Sequence, residues 1–258
     1  MPGLQRLRSK LYLTRWSLLI WLTFTIGISL AAWQLFPGVH FMADGGLQGI
    51  KLVVLVDLVL GPLLFFIAAN PEKSTRERLL DITLLTIVQL SAISWGSWQI
   101  YSQRPVALSH LPAECMLVPV TASSFAMQDI RVTDLKGSML GELPAFHVQL
   151  KGADAQSALN TMLATGVPVS AQRDYLKPLF DHADIIFNRQ ERFIRYWNAD
   201  GKELWEDWSH AHGKKSPDDY RHLLFRGRHG NAVLLLNPDN TLAGYIDLPG
   251  IALLEALL

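Results

Sequence analysis

The chain of 258 residues has one cysteine, Cys115, and no net charge, since 23 Lys and Arg balance 23 Asp and Glu. A single cysteine excludes an internal disulfide and a zinc cluster of several thiolates. Without a basic excess there is no electrostatic foothold for nucleic acid. A Gly-x-Ser-x-Gly elbow is missing too, so the commonest serine nucleophile has no place here. Neither an internal repeat nor a low-complexity tract is visible. The absence that carries most information is local. The stretch "PGVHFMADGGLQG", residues 37–49, holds no Lys or Arg.

What the sequence does hold is apolar length. Three stretches, at about 16–36, 50–69 and 82–101, approach the roughly 20 residues that a bilayer's hydrocarbon core requires. Trp16 and Trp33 flank the first, and Trp95, Trp98 and Tyr101 close the third, as an interfacial aromatic belt would. A signal peptide is a rival reading of the first stretch, but its apolar run exceeds the usual h-region of about 7–15 residues. Up to Tyr101 there are eight Lys and Arg against five Asp and Glu, leaving fifteen against eighteen beyond it. Arg6, Arg8, Lys10 and Arg15 precede the first stretch, and Lys73, Arg76 and Arg78 lie between the second and third. Positive charge stays in the cytoplasm. The expectation is a multi-pass protein of a bacterial inner membrane, with its N-terminus cytoplasmic and everything after the third crossing periplasmic. Residues 1–107 then form a three-helix transmembrane bundle, and 108–258 form a periplasmic α+β domain.

The second stretch contains an ionisable group. Asp57 lies in "KLVVLVDLVLGPLLFF", with Gly61 and Pro62 one turn later. A carboxylate near a helix centre costs on the order of 3 kcal/mol on insertion scales, so it faces other helices or water. Pro62 removes an amide hydrogen and Gly61 permits close backbone approach, which suits a packed, irregular spot. Ser29 and Ser94 fall at the same depth as Asp57 and could donate to it, and Gln89 lies one turn deeper. Lys51 sits nearer the surface, where it would snorkel outward. Two readings stay open for Asp57: a contact for a polar group on a partner helix, and an internal clasp holding the helices together.

From about Leu108 the composition is that of a soluble domain. "CMLVPV", "FHVQL", "AVLLL" and "GYIDL" read as strands. "AVLLLNPDNTLAGYIDL" reads as a hairpin, and "GADAQSALNTMLATG" as a helix that Asp154 can cap and Gly166 follows. The expected sheet is antiparallel. Cys115 reads as a small apolar strand residue. "HAHGKK", with His210, His212 and neighbouring Asp207 and His222, lacks a defined third metal ligand and reads as a surface loop. Asp181, His182 and Asp184 could pair a base with an orienting acid, but a solvated helix face is the simpler reading. In "YWNADGKELWEDW", "NADGK" reads as a turn. Trp197, Trp205 and Trp208 are then either core aromatics beside it or an exposed aromatic patch. No metal or other cofactor is expected.

The segment "GIKLVVLVDLVLGPLLFFIAANPEKS", the later "LLDITLLTIVQL" and "YSQRPVAL" together resemble the type IV pilin accessory proteins of the TfpX/TfpZ type. Lys51, Asp57, Gly61, Pro62, Asn70, Pro71, Lys73, Arg104 and Pro105 carry the shared pattern, which is dense over about 49–108 and looser beyond. The stretch 197–219 matches nothing in that pattern. The resemblance implies a non-enzymatic accessory factor for type IV pilus biogenesis. Its partner would be a pilin, whose apolar helix and water-soluble head both lie within reach of a membrane bundle bearing an outward domain, and its other neighbour the lipid bilayer. The rival classes are a membrane-anchored periplasmic enzyme and a sensor or transport accessory subunit.

Overall fold

Ser74 starts the longest helix. Its hydroxyl accepts from the Glu77 amide (3.3 Å) while the Glu77 carboxylate accepts from the Ser74 amide (3.0 Å), a reciprocal cap that satisfies two orphan donors. The helix then runs over Thr75–Ser102, 28 residues and roughly 42 Å. Many of its apolar side chains are exposed, among them Leu80, Leu84, Ile87, Trp95 and Trp98, while Gln89 is buried and Ile82, Leu85, Ile93 and Ile100 are half-buried along one face. The hydroxyls of Thr86 and Ser91 donate to the carbonyls of Ile82 and Ile87 one turn back, so they need no water. An exposed apolar surface, with hydroxyls satisfied internally, is what a hydrocarbon environment selects.

The computed structural model describes residues 19, 22–53, 74–187, 199–213 and 216–248. Among these, Thr75–Ser102 is the one helix long and apolar enough to cross a membrane. This corrects the expected three-helix transmembrane bundle. The helix Leu22–Leu35, on the first apolar stretch, is shorter than a span. The helix Gly46–Val53 opens the second, whose remainder lies outside the described residues. The multi-pass, inner-membrane placement with a cytoplasmic N-terminus and a periplasmic C-terminal domain is corrected with it. That placement was obtained by counting three crossings, and one candidate crossing does not support the count.

The chain divides into two units, Met1–Phe36 with Gly46–Ser102, and Pro37–Gly45 with Gln103–Leu258. The short stretch without Lys or Arg is thus for the most part no bare connection. Residues Pro37–Gly45 belong to the folded C-terminal unit, where the helix Val39–Ala43 buries Val39, His40 and Ala43.

That unit is built on one sheet of eight strands: β1 (Pro105–Leu111), β2 (Met116–Thr121), β3 (Ser138–Leu140), β4 (Leu143–Val148), β5 (Leu176–Pro178), β6 (Arg221–Arg226), β7 (Asn231–Leu236) and β8 (Leu242–Leu248). The spatial order is β3-β4-β1-β2-β6-β7-β8, with β5 also on β4. The α+β class is as expected, but the sheet is mixed. β1 pairs β4 and β2 pairs β6 in parallel, and the other pairs are antiparallel. The turn at Gly141 approaches Leu242, so the β3–β4 hairpin at one end of the order reaches β8 at the other, and the sheet is strongly curled.

Both faces are covered, which is why β7 reads as an unbroken apolar run instead of an alternation. One face carries Leu108, Leu117, Ala145, Leu223, Phe225, Ala232, Leu234 and Leu236. It is closed by Val39 and Ala43 and by Leu179, Ile186 and Phe187. The opposite face is covered in two parts. Phe125, from the helix Ala122–Ala126, is buried there with Phe146, Val148, Val167 and Ala171. The helix Ala199–Ala211 lays Trp205, with Leu204 and Trp208 beside it, on Leu224, Val233, Leu235 and Ile246.

The hairpin expected at the C-terminal end is present as β7 and β8, joined by a turn in which Asn240 has φ 68° and Asn237 donates to Thr241 (2.9 Å). The helix Asp154–Thr165 also forms, and Gly166 ends it at φ 75°, a left-handed conformation that glycine adopts without penalty. Asp154 lies in its first turn and accepts from the Lys151 amide (2.9 Å). The expected turn at "NADGK" is helix instead, from Ala199 onward. Leu204, Trp205 and Trp208 fall on one helical face, and covering the sheet with them outweighs the local turn chemistry of Asp-Gly. Cys115 is not a strand residue. It sits just before β2 at φ 52°.

Candidate functional site

The register of the sheet sets up a transverse row on the face covered by residues 179–187. His147 on β4 is opposite His110 on β1, His110 is opposite Leu117 on β2, and Leu117 is opposite Phe225 on β6. Cross-strand partners lie on the same face. The two ends of this row carry unusual chemistry.

At one end three imidazoles lie side by side with nearly parallel planes. The His110 and His147 rings are 5.3 Å apart at 22°, and His147 and His182 are 4.8 Å apart at 21°. His110 Nδ1 and His147 Nδ1 are hydrogen-bonded at 3.1 Å, so one of the two carries the proton and the other accepts it. The Gln149 side-chain amide donates to His182 Nε2 (3.4 Å), which leaves the buried His182 Nδ1 without a hydrogen-bond partner among the described residues. Burial first, and then the neighbouring His182, pull the His147 pKa down to about 4. The column is therefore neutral at pH 7 on the His147 side. Among the described residues no group of three His, Cys, Asp or Glu could hold a metal.

At the other end, His40 rests edge-on against Phe225, with ring centroids 5.1 Å apart at 88°. Its Nδ1 is hydrogen-bonded to Asp44, and both residues are buried. The other oxygen of Asp44 accepts from the Arg228 amide (3.3 Å), and the Ala43 carbonyl accepts from the His229 amide (2.7 Å). Gly227 allows this approach, because a Cβ there would fall 2.5 Å from the Ala43 carbonyl oxygen. Residues Pro37–Gly45 are thus held to the β6–β7 turn by side-chain and backbone bonds together.

The structure distributes the residues singled out in the sequence as follows. Asp57, Gly61, Pro62, Asn70, Pro71, Lys73 and Trp197 lie outside the described residues. The Ser29 hydroxyl donates to the Thr25 carbonyl of its own helix (2.7 Å), Ser94 is exposed, Gln89 is buried and Lys51 is exposed. The Arg104 carbonyl accepts from the Ala122 amide (3.1 Å), and Pro105 is the first residue of β1, the strand position that tolerates a missing amide hydrogen.

Trp205 is buried, and Trp208 stacks on His212 at 4.3 Å and 8°. The His212 ring also donates from Nδ1 to the Trp208 carbonyl (2.9 Å). His210 and Asp207 are exposed on the same helix, whereas His222 is buried on β6 beside Trp205 (6.4 Å). Burial pulls the His222 pKa down to about 4 against the opposing pulls of the Tyr220 backbone and Asp218.

Asp181 and Asp184 are exposed, and the residue that His182 engages is Gln149, not an acid. No signal in the sequence marked His40, Asp44, His110 or His147. His40 and Asp44 are one helical turn apart, whereas His110 and His147 are 37 residues apart and meet through strand pairing.

No protein-family model and no solved structure matches the chain. It is 33% identical over 118 residues to the fimbrial assembly protein of serogroups C1 and C2 of Dichelobacter nodosus, covering 46% of this chain and 77% of that protein. Against the serogroup E1 protein of the same organism the identity is 32% over 128 residues, covering 48% of this chain and 43% of that protein. The serogroup I protein is 34% identical over 118 residues, with 46% and 39% covered. The chain therefore spans less than half the length of two of these relatives.

Proposed function

This chain belongs to the family of fimbrial assembly proteins, and from that premise we propose that it is a non-enzymatic accessory factor of type IV pilus biogenesis. In this reading it is held in a membrane by the helix Thr75–Ser102, binds a pilin, and tunes the pilin's stability or its entry into the fibre. The observation that carries the reading is the match over 77% of the serogroup C1 and C2 protein. Two physical features support it. The helix offers exposed apolar surface, which a pilin's own apolar helix can lie against. The C-terminal unit has a sheet covered on both faces, a rigid platform for a water-soluble pilin head. The finer resemblance to the TfpX/TfpZ type, carried by Lys51, Arg104, Pro105 and the residues between, belongs to the same proposal. So do the roles of Asp57, Gly61 and Pro62 as a packing or contact point.

The test is a photo-activated crosslinker placed in living cells at Leu84, Val88 and Trp95, all exposed on the helix. The expected product is a covalent adduct with pilin from at least one position. Crosslinking to lipid alone from all three, in cells that make pilin, would remove pilin binding through this helix from the account.

A further inference from the structure

We propose that residues 179–187 form an acid-released strap, latched over the inner face of the curled sheet by the column of His110, His147 and His182. The strap leaves β5 at Pro178 and covers the face with Leu179, Ile186 and Phe187. Apart from this apolar cover it has few ties. The Phe180 amide donates to Ser138 Oγ (3.0 Å), the Arg221 guanidinium lies over the Phe187 ring (5.1 Å), and His182 makes the stack and the Gln149 bond.

The latch works only while its imidazoles are neutral. Two Nδ1 atoms at 3.1 Å share one proton, and a second proton would set two N–H groups head to head. A protonated His147 would place a cation 4.8 Å from the His182 ring of the strap. Protonation at His147 therefore weakens a contact between strap and sheet.

No acid stands ready to neutralise the charge. The titratable groups facing the column are His110 from β1, Lys177 from β5 and His182, Asp181 and Asp184 from the strap. β3 contributes none. Lys177 is opposite His147 in register and is itself a cation, and both aspartates are exposed.

The sign follows from proton uptake. Burial holds the His147 pKa down at about 4, below its ordinary 6.5, so between those values a form in which it is uncovered binds more protons. Closure is at full strength above about pH 6.5 and weakens as pH falls toward 4. One such histidine changes the open population by up to about tenfold per pH unit.

Amide hydrogen exchange on the full chain in detergent micelles tests this. The ratio of protection in the strap to protection in the hairpin 231–248 is followed from pH 7 to pH 4.5. The strap is expected to exchange through its own local opening, with protection below that of the hairpin and falling about tenfold per pH unit below pH 6.5. His147→Asn should flatten that slope, as should His182→Asn in part if the first variant does not fold. His222→Asn, on the opposite face, should leave the slope of the strap intact. Equal protection of strap and hairpin at every pH would overturn the proposal, because opening would then be global. A strap slope unchanged in both column variants would overturn it equally.

Discussion

Two pairs of tryptophans stand at the same spacing in this chain and meet opposite fates. Trp95 and Trp98 on the helix Thr75–Ser102 are 67% and 63% exposed, whereas Trp205 on the helix Ala199–Ala211 is 8% exposed and Trp208 is half-buried. The spacing alone therefore decides nothing. What differs is the rest of each helix. Around Trp205 the other faces carry Glu203, Glu206, Asp207 and His210, all exposed, so one apolar stripe is left to cover the sheet. Around Trp95 the exposed surface includes Leu84, Ile87, Val88 and Leu90, and no charge stands between Ile82 and Ser102. The first helix is solvated by its own charges and docks on protein. The second needs an apolar solvent, and its indoles sit near the end where an interface would hold them.

The contrast can be broken most forcefully at the buried member. Trp205→Ala should lower the stability of the C-terminal unit by about 3–5 kcal/mol in urea unfolding, since it empties the contact with Tyr220 and Leu224. Trp95→Ala should move the same transition by no more than about 0.5 kcal/mol. Equal shifts would erase the distinction between the two pairs.

A smaller effect comes from the glycines beside them. A Cβ on Gly244 would lie 3.0 Å from the Trp208 ring, so Gly244→Val should cost about 1–3 kcal/mol in the same assay. Gly96, between Trp95 and Trp98, would meet nothing within 4 Å, and Gly96→Ala should be tolerated without loss of folded protein. Smallest is the cap. Ser74→Ala should remove about 1 kcal/mol from the start of the helix Thr75–Ser102, read as faster amide exchange in its first turn than in its centre.

These contrasts also show what a reader of the bare sequence can and cannot obtain. The hairpin of β7 and β8 was legible because Asn-Pro-Asp-Asn separates two apolar arms, and the helix Asp154–Thr165 because Gly166 marks its end. β6 was not, since "RHLLFR" is brief and bounded by charge, and only its parallel pairing with β2 gives it a place mid-sheet. Asp-Gly after Asn198 argued for a turn, and the tertiary demand of the sheet for Leu204, Trp205 and Trp208 made it helix. The count of three crossings treated apolar length as sufficient, whereas among the described residues Thr75–Ser102 alone is long and apolar enough, and Pro37–Gly45 is a piece of the sheet unit. The histidine column was invisible because register, not sequence distance, brings His110 beside His147.

The claim on which the functional account turns is that pili depend on this protein. The direct measurement is the number of surface pili per cell, counted by electron microscopy in a strain lacking the gene and in the same strain with the gene restored. The account predicts few or no pili in the first and the parental number in the second. A deletion strain with the parental number of pili would contradict it.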